Sequence, residues 1–261
     1  MPRLAFMNSI ASLLNQFHQQ AVNSLNVLLP PLCVMCDDLV SESHGFCGPC
    51  WQGLTFIAPP LCVCCGLPFE YEGQSINEDA LCGACLLAMP HFTHARSALV
   101  YNDASKSLIL PFKHNDRTDY SRALARLLLN AGQAMIERAD ALLPVPLHFM
   151  RLFSRRYNQS ALLVHHLAKA TGKDMLLHGL VRSKATQSQG HLSREQREKN
   201  VKNAFLVRPK AIAMIKGKHL LLIDDVLTTG ATANACVSAL LKAGAARVEV
   251  LTIARVVKIN Q

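Results

Sequence analysis

The chain has 261 residues, of which half are hydrophobic and 17% are charged, and its formal net charge is +9. This composition provides enough apolar surface for a packed core and excludes a chain that is disordered throughout. No apolar run approaches the roughly eighteen residues that a membrane-spanning helix needs, so we expect no membrane span. The length suits one large domain, or a medium domain with a smaller module.

The first segment, residues 1–29, predicts an amphipathic N-terminal helix. Its apolar side chains recur at helical spacing, namely Leu4, Met7, Ile10, Leu14, Phe17, Ala21 and Leu25. Polar residues interrupt the segment and no small-residue cleavage site follows, which disfavours a secretory signal. A helix packed on its own protein is favoured over a membrane anchor. We therefore expect a cytoplasmic protein.

Charge is distributed unevenly along the chain. Residues 1–90 contain one basic and seven acidic residues, a net charge of −6, whereas residues 147–218 contain fifteen basic and three acidic residues, a net charge of +12. The central segment therefore carries more than the whole positive surplus. A polyanionic ligand is expected there first.

Eight of the ten cysteines form four Cys-x-x-Cys pairs. The pairs are Cys33 with Cys36, Cys47 with Cys50, Cys62 with Cys65, and Cys82 with Cys85. Two thiolates three positions apart on a tight turn can bind one zinc ion, and two such turns complete a tetrahedral site. The pattern predicts two structural Zn²⁺ sites in a double zinc ribbon over residues 30–90.

Two alternatives concern these cysteines. A disulfide framework would require an oxidising compartment, for which no export signal is present. Consecutive pairs would form two ribbons in series, and interleaved pairs would form a cross-braced module; the compact 33–50 and 62–85 blocks favour the series. Cys64 is left over and could replace a neighbouring ligand. Because the module is acidic, we interpret it as a folding staple or a protein-docking surface and not as a phosphate-binding finger.

Residues 91–261 alternate between strand-like and helix-like segments. Predicted strands cover 97–102, 141–146, 176–181, 204–208, 219–224 and 248–256, and predicted helices cover 119–139, 158–170 and 232–243. This alternation predicts an α/β domain whose parallel sheet is covered on both faces. Ligands of such sheets bind beyond the carboxyl ends of the strands.

The stretch LLLIDDVLTTGAT, residues 220–232, is the strongest candidate site. A buried apolar strand leads to Asp224 and Asp225, which point in opposite directions and can address two sides of one ligand. The turn that follows offers backbone N–H groups, threonine hydroxyls and the start of a helix to an anion, and Gly230 permits the bend. A sugar phosphate satisfies both halves of this arrangement.

Two other interpretations of this stretch are weaker. The pattern GxxxxGK[ST] is absent, which disfavours a nucleoside-triphosphate loop. A strand stop with Asp in the turn and Thr as helix cap would need no ligand. The combination of carboxylates, threonines and glycine within thirteen residues favours ligand binding.

IDDVLTTGAT is similar to the phosphoribosyl-diphosphate (PRPP) binding motif of type I phosphoribosyltransferases. With four Cys-x-x-Cys pairs before it, the chain from about residue 30 resembles the ComF/GntX family of competence and DNA-utilisation proteins. Residues 145–163 and 182–205 resemble that family's pyrophosphate loop and flexible loop. Where the family usually has RRGFNQ, this chain has RRYNQ, with Arg156 at the place of the glycine.

The resemblance implies a Rossmann-like sheet of the type I phosphoribosyltransferase kind over residues 91–261. It also implies that Asp224 and Asp225 hold the ribose hydroxyls. The implied 5′-phosphate ligands are Thr228, Thr229, Gly230, Ala231 and Thr232. The resemblance further assigns Arg151 and Arg155 to the diphosphate, together with Mg²⁺, and Arg182 and Lys184 to a loop that closes over the site. Lys113 is a weaker candidate.

Three functional hypotheses follow. The first is a magnesium-dependent phosphoribosyltransferase, a glycosyltransferase that uses PRPP or a related ribose phosphate and an unknown acceptor. The second is a protein that binds single-stranded DNA along the +12 segment during uptake or use of external DNA. The third is a non-catalytic PRPP-sensing adaptor whose zinc ribbons dock a protein partner of the DNA-uptake machinery.

Overall fold

A computed structural model describes residues 30–69, 79–114, 117–147, 157–183, 196, 201 and 203–257. The predicted helix over 1–29 lies outside these residues. Contacts divide the chain after Trp51 into two compact units. The second group of cysteines, at positions 62–85, thus shares its unit with the sheet. Among the described residues, no helix combines the length and apolar character needed to span a bilayer.

The larger unit is built on a parallel sheet. The chain forms seven strands in the described ranges: β1 (Ala95–Val100), β2 (Ala141–Pro144), β3 (Asp174–Met175), β4 (Leu180–Arg182), β5 (Phe205–Val207), β6 (His219–Leu227) and β7 (Arg247–Arg255). Five of them form a sheet in the order β1-β7-β6-β2-β3, and every pair in it is parallel. The predicted parallel α/β architecture is confirmed.

Helices connect these strands. Those in the described ranges are α1 (Gly48–Gly53), α2 (Gly83–Leu87), α3 (Asp103–His114), α4 (Tyr120–Arg138), α5 (Gln159–Thr171), α6 (Ile212–Ile215) and α7 (Ala231–Lys242), with a 3-10 turn at Pro209–Ala211. The predicted helices at 119–139, 158–170 and 232–243 correspond to α4, α5 and α7. Helix α3 was not predicted. It contains Pro111, which normally argues against a helix interior.

Both faces of the sheet are buried, as its apolar strands require. On one face Leu222 and Val250 belong to a core cluster that includes Val237 of α7. On the other face Leu251 is fully buried, and a Cβ added to Gly132 of α4 would lie 2.4 Å from its methyl group. Helix α4 therefore packs so closely on this face that any side chain at position 132 would require Leu251 to move.

Two predicted strands lie outside the main sheet. Strands β4 and β5 pair antiparallel as a separate two-stranded sheet, with Val181 opposite Leu206. The strand predicted at 176–181 is wrong over most of its length, because only its last two residues belong to a strand, β4 (Leu180–Arg182), while the edge strand β3 (Asp174–Met175) ends just before the predicted range. Short strands of this kind are set by their pairing partners, which local sequence does not specify.

A buried carboxylate organises the amino ends of the central strands. Glu249 of β7 has no exposed side-chain surface, and its oxygens lie 2.7 Å from His94 Nδ1, 2.9 Å from Arg138 Nη2 and 3.1 Å from His219 Nε2. Burial opposes its ionisation, but hydrogen bonds from Arg138 and His94 outweigh burial and hold the pKa of Glu249 below its ordinary value. This network ties β7 to β6, to α4 and to the segment before β1.

We predict that Glu249→Gln lowers the free energy of unfolding by about 3 kcal/mol at neutral pH, since it leaves the Arg138 guanidinium without its buried counter-charge. Because the pKa of Glu249 is lowered on folding, its contribution is present above the ordinary pKa of 4.5 and is lost as pH falls through the lowered value. The gap between variant and wild type should therefore narrow below about pH 4. Urea unfolding at pH 7 and pH 3.5 measures both effects.

The matched control is Glu137→Gln, which alters an exposed carboxylate at the end of the same helix, α4. This change should stay within about 0.5 kcal/mol of wild type. Equal losses in the two variants would contradict the assigned role of Glu249.

Candidate functional site

The two aspartates lie inside strand β6 and not at its end, which corrects the predicted boundary at residue 224. Strand β6 continues to Leu227 because Val226 and Leu227 still pair with β7. On its other side, β2 ends at Pro144 opposite Ile223. Asp224 and Asp225 thus follow directly after β2 leaves β6, which opens one side of the strand while the other stays hydrogen-bonded.

Asp224 is partly buried, and its Oδ1 accepts two hydrogen bonds. The backbone N–H of Asp225 donates at 2.9 Å and the hydroxyl of Ser160 at 3.3 Å. Burial, followed by the charge of Asp225, raises the pKa of Asp224 to about 7, against the opposing effects of these donors and of Lys113. Near neutral pH this carboxyl is divided between its protonated and ionised forms.

Asp225 forms an ion pair with Lys113. The Nζ of Lys113 lies 3.0 Å from Asp225 Oδ2, and both side chains are less than one-fifth exposed. Lys113 comes from α3, the helix that the sequence did not predict. The structure therefore brings Lys113, a weaker candidate from the sequence, into direct contact with Asp225 of the strongest candidate site.

The segment YNQS, residues 157–160, joins the elements around this pair. Tyr157 donates to the carbonyl of Phe112 at 3.1 Å, and Gln159 Nε2 donates to the carbonyl of Lys113 at 3.1 Å. Asn158 caps α5 and donates to the carbonyl of Val145, just after β2 ends. Together with the bond from Ser160 to Asp224, these contacts bring the end of α3, the start of α5, the carboxyl end of β2 and the Asp224 position of β6 to one place.

Residues 228–232, which the sequence predicts to bind an anion, lie between β6 and the start of α7, and we call them the threonine loop. Gly230 has φ of +79°, a left-handed conformation that glycine adopts without strain, and it caps the twelve-residue helix α7. The first helical hydrogen bond runs from the N–H of Asn234 to the carbonyl of Gly230 at 2.8 Å. The N–H groups at the start of α7 are thus presented at the carboxyl edge of the sheet, beside the two aspartates, where an anion is favoured.

The other predicted site residues are distributed differently. Arg151, Arg155 and Lys184 lie outside the described residues. Arg182 lies in β4, where it is 9% exposed and its guanidinium stacks 5.4 Å from the ring centroid of Phe205. This places Arg182 in the packing of the β4–β5 pair, and its contact with a ligand stays a prediction.

Four thiols of the smaller unit form the first cysteine cluster: Cys33, Cys36, Cys47 and Cys50. Their sulfurs all lie within 4.8 Å of one another, with 3.5 Å between Cys36 and Cys47. The sulfur of Cys33 accepts the N–H groups of Met35 at 3.5 Å and Cys47 at 3.3 Å. Burial opposes ionisation here, but these donors lower the pKa of Cys33 to about 6. Such a set of sulfurs suits a tetrahedral zinc ion.

The second cysteine cluster, Cys62, Cys65, Cys82 and Cys85, repeats this design in the larger unit. Its four sulfurs are buried and also lie within 4.8 Å of one another. The sulfur of Cys62 accepts the N–H groups of Cys65 at 3.5 Å and Cys82 at 3.3 Å. Burial again opposes ionisation, yet the donors lower the pKa of Cys62 to about 7. The consecutive pairing that the sequence favoured is the one the structure has, and these residues fit a second zinc ion.

We predict that Asp224→Asn stabilises the ligand-free protein by about 2 kcal/mol at pH 8 and by much less at pH 4. A pKa raised on folding gives stability that is fully present below the ordinary value of 3.8 and is lost as pH rises through about 7. The amide keeps the acceptor oxygen for Ser160 and for the N–H of Asp225 but removes the ionisation.

Thermal unfolding between pH 4 and pH 8 measures this gain. The control is Asp103→Asn, which changes an aspartate with a 98% exposed side chain. A variant at position 224 that is less stable than wild type at pH 8, or a gain that does not depend on pH, would contradict the assignment.

Comparisons with known proteins identify the family of the chain. Two family models match the chain: the double zinc ribbon domain over residues 24–88 and the phosphoribosyl transferase domain over residues 134–258. Orotate phosphoribosyltransferase from Aeropyrum pernix shows a distant likeness, with 20% identity and a TM-score of 0.31 over 52% of this chain and 60% of that one.

Two relatives match almost from end to end. The DNA utilization protein YhgH of Salmonella typhimurium is 32% identical over 87% of this chain and 98% of its own length. Competence protein F of Haemophilus influenzae is 31% identical over 85% of this chain and 96% of its own length. With the zinc ribbon and phosphoribosyl transferase models, these matches show that the chain belongs to the ComF family of competence and DNA-utilisation proteins.

Proposed function

We propose that the chain binds PRPP, or a closely related ribose phosphate, at the carboxyl edge of its sheet and acts as a magnesium-dependent phosphoribosyltransferase. The observation that carries the proposal is the placement of Asp224 and Asp225 two residues before the threonine loop, in the part of β6 that β2 no longer covers. One ligand class has both vicinal hydroxyls, which donate to carboxylates, and a phosphate, which accepts from backbone N–H groups.

The sugar is held by the two carboxylates in this proposal. The ribose 2′ and 3′ hydroxyls donate to Asp224 and Asp225, whose charge Lys113 partly offsets. Hydroxyl donors favour the ionised form of Asp224, so binding near neutral pH should release a proton from this carboxyl. The 5′-phosphate lies in the threonine loop, where the N–H groups of α7 and the hydroxyls of Thr228, Thr229 and Thr232 donate to it.

The transfer step breaks the bond between C1′ and the diphosphate oxygen and forms a bond between C1′ and the acceptor. The diphosphate leaves with the electron pair, and the acceptor loses a proton. Mg²⁺ bound to the substrate oxygens would neutralise the leaving group, and oxygen donors such as Asp224 and Asp225 suit that ion. Arg151 and Arg155 are proposed for the diphosphate, and Lys184 for the closing loop.

We predict that calorimetric titration with PRPP and Mg²⁺ gives saturable binding to wild type. Lys113→Gln and Asp225→Asn should each weaken PRPP binding at least tenfold. Asp225→Asn removes a carboxylate that contacts the sugar, and Lys113→Gln removes the cation that balances the charge of this carboxylate. Lys106→Gln is the matched control, since Lys106 forms the same kind of ion pair on the same helix but at the surface, with Asp103 at 2.8 Å. Its affinity should stay within twofold of wild type.

Release of diphosphate across a panel of bases and amines then separates an enzyme from an adaptor. Binding with release supports the transferase, whereas binding without release with any acceptor supports a PRPP-sensing adaptor that docks partners through its zinc ribbons. Absence of PRPP binding by wild type would remove both proposals.

A second proposal, single-stranded DNA binding, is favoured by charge. Residues 147–218 carry a net charge of +12. Within their described part, Arg208, Lys210, Lys216 and Lys218 are all exposed. Such a stretch can follow a phosphate backbone without reading bases.

We predict that affinity for single-stranded oligonucleotides falls steeply with salt. On a plot of log K against log salt concentration, Lys210→Gln combined with Lys216→Gln should reduce the slope by about one to two. Lys106→Gln combined with Arg126→Gln removes two charges outside residues 147–218 and should leave the slope closer to wild type. Binding that does not depend on salt would reject this second proposal.

A further inference from the structure

The segment that leaves the second cysteine cluster lies against the threonine loop. The N–H of His91 donates to Asn234 Oδ1 at 2.9 Å. Asn234 stands in the first turn of α7, where its own N–H bonds the carbonyl of Gly230. Phe92 is 4% exposed, and a Cβ added to Gly230 would lie 3.8 Å from its ring. Two successive residues that follow the ribbon thus lie next to the loop, since His91 bonds the first turn of α7 and the Phe92 ring lies near Gly230.

The same segment is anchored to the sheet directly beyond these contacts. The N–H of Thr93 donates to the carbonyl of Val248 at 3.0 Å, and the N–H of Val250 donates to the carbonyl of His94 at 2.9 Å. Only seven residues separate Thr93 from the last ligand of the cluster, Cys85. The segment between them can shift little unless the cluster or the sheet edge shifts with it.

The cluster itself is tied to the same strands. The N–H of Ala95 donates to the carbonyl of Cys64 at 2.7 Å, and Arg96 Nη1 donates to the carbonyl of Val63 at 3.0 Å. Arg255, at the end of β7, donates to the carbonyl of Cys65. A Cβ at Gly66, the residue after Cys65, would lie 2.5 Å from the carbonyl oxygen of Ala95, so the end of the turn that carries the first two ligands lies close against the strand backbone.

A bound metal ion fixes the positions of its ligand turns relative to one another, because it cross-links them. Four unlinked thiols on short turns leave the chain free to rearrange. In the second cluster, a metal cross-link would fix Cys82 and Cys85 relative to Cys62 and Cys65. Cys82 and Cys85 lie just before His91 and Phe92 in the chain. The turn of Cys62 and Cys65 is bonded to the strands of the sheet. The first cysteine cluster has the same internal design but belongs to the other compact unit.

We propose that the second cysteine cluster, through His91, Phe92 and Asn234, positions the threonine loop for the ribose phosphate. These three are positioning residues: they act on the loop and not on the ligand. The inference rests on the proposed function for its ligand, but the order of the loop in the ligand-free protein can be measured separately. Zinc in the second cluster is thereby coupled to ligand affinity, and zinc in the first cluster is not.

Hydrogen exchange in the ligand-free protein tests the positioning role directly. Asn234→Ala removes the acceptor for the N–H of His91 and should speed exchange of the amides at 229–234 at least threefold, while the zinc content stays that of wild type. Ser238→Ala, one turn further along α7, is the matched control and should leave these amides unchanged. Unchanged exchange in Asn234→Ala would overturn the proposal, whether or not the protein binds PRPP.

Affinity is the second readout. With PRPP and Mg²⁺, Asn234→Ala should raise Kd roughly threefold to tenfold, as expected for one lost hydrogen bond. Phe92→Leu should raise Kd in the same direction, and Ser238→Ala should leave it within twofold. If wild type binds and Asn234→Ala binds equally well, the positioning role is wrong. If wild type itself does not bind, the proposed function fails and the exchange measurement still decides the positioning role.

Selective loss of zinc completes the test. Cys85→Ser and Cys50→Ser each remove the last ligand of one cluster, and metal analysis should show that each variant loses about one zinc ion per chain. Only Cys85→Ser should loosen the threonine loop and weaken PRPP binding. Equal effects of the two variants, or none from Cys85→Ser, would overturn the coupling. If Cys85→Ser does not fold, the Asn234 and Phe92 variants decide the question.

Discussion

Two adjacent carboxylates on one partly buried stretch of strand are the constraint around which the site of the larger unit is arranged. Strand β6 can hold them because β2 stops at Pro144 while β7 continues alongside to Arg255. The unfavourable burial is offset by Lys113, by Ser160 and by one backbone N–H, but not fully, since the pKa of Asp224 is raised to about 7. A buried carboxylate that lowers the stability of the fold in this way is typical of ligand-binding sites.

The two zinc ribbons have the same internal design in different settings. In each, the first cysteine sulfur accepts two backbone N–H groups, and all four sulfurs lie within 4.8 Å of one another. The second cluster, however, belongs to the hydrophobic core that also contains Leu222, Val250 and Val237. It forms part of the body that presents the threonine loop, so a structural metal site and a ligand site share one packed unit.

Much of this could be predicted from sequence because the signals are local. Apolar runs mark β6 and β7, amphipathic spacing marks α4, and Cys-x-x-Cys spacing marks both clusters. The end of β6 was misplaced because charged residues normally stop a buried strand, whereas here β7 continues to pair with it up to Leu227. Helix α3 was not predicted, and Pro111 inside it is a residue that normally argues against a helix. The spacing of Asn102 and Ser105, which bond each other reciprocally at the start of α3, was a usable sequence signal.

The approach of Lys113 to Asp225 could not be predicted, because it depends on how α3 packs beside β6. The same holds for the placement of the Phe92 ring near Gly230, which brings together residues 138 positions apart. Contacts of this kind are created by tertiary packing and leave no periodic trace in the sequence.

The most direct measurement of the central claim is the carboxyl ¹³C resonance of Asp224, followed from pH 4 to pH 9 with and without PRPP and Mg²⁺. We predict that Asp224 titrates near pH 7 in the free protein. Once ribose hydroxyls donate to it, the carboxylate should stay ionised down to about pH 5. If the carboxyl titrates near its ordinary value in the free protein, or if the ligand leaves its titration unchanged, Asp224 is not the sugar-binding group proposed.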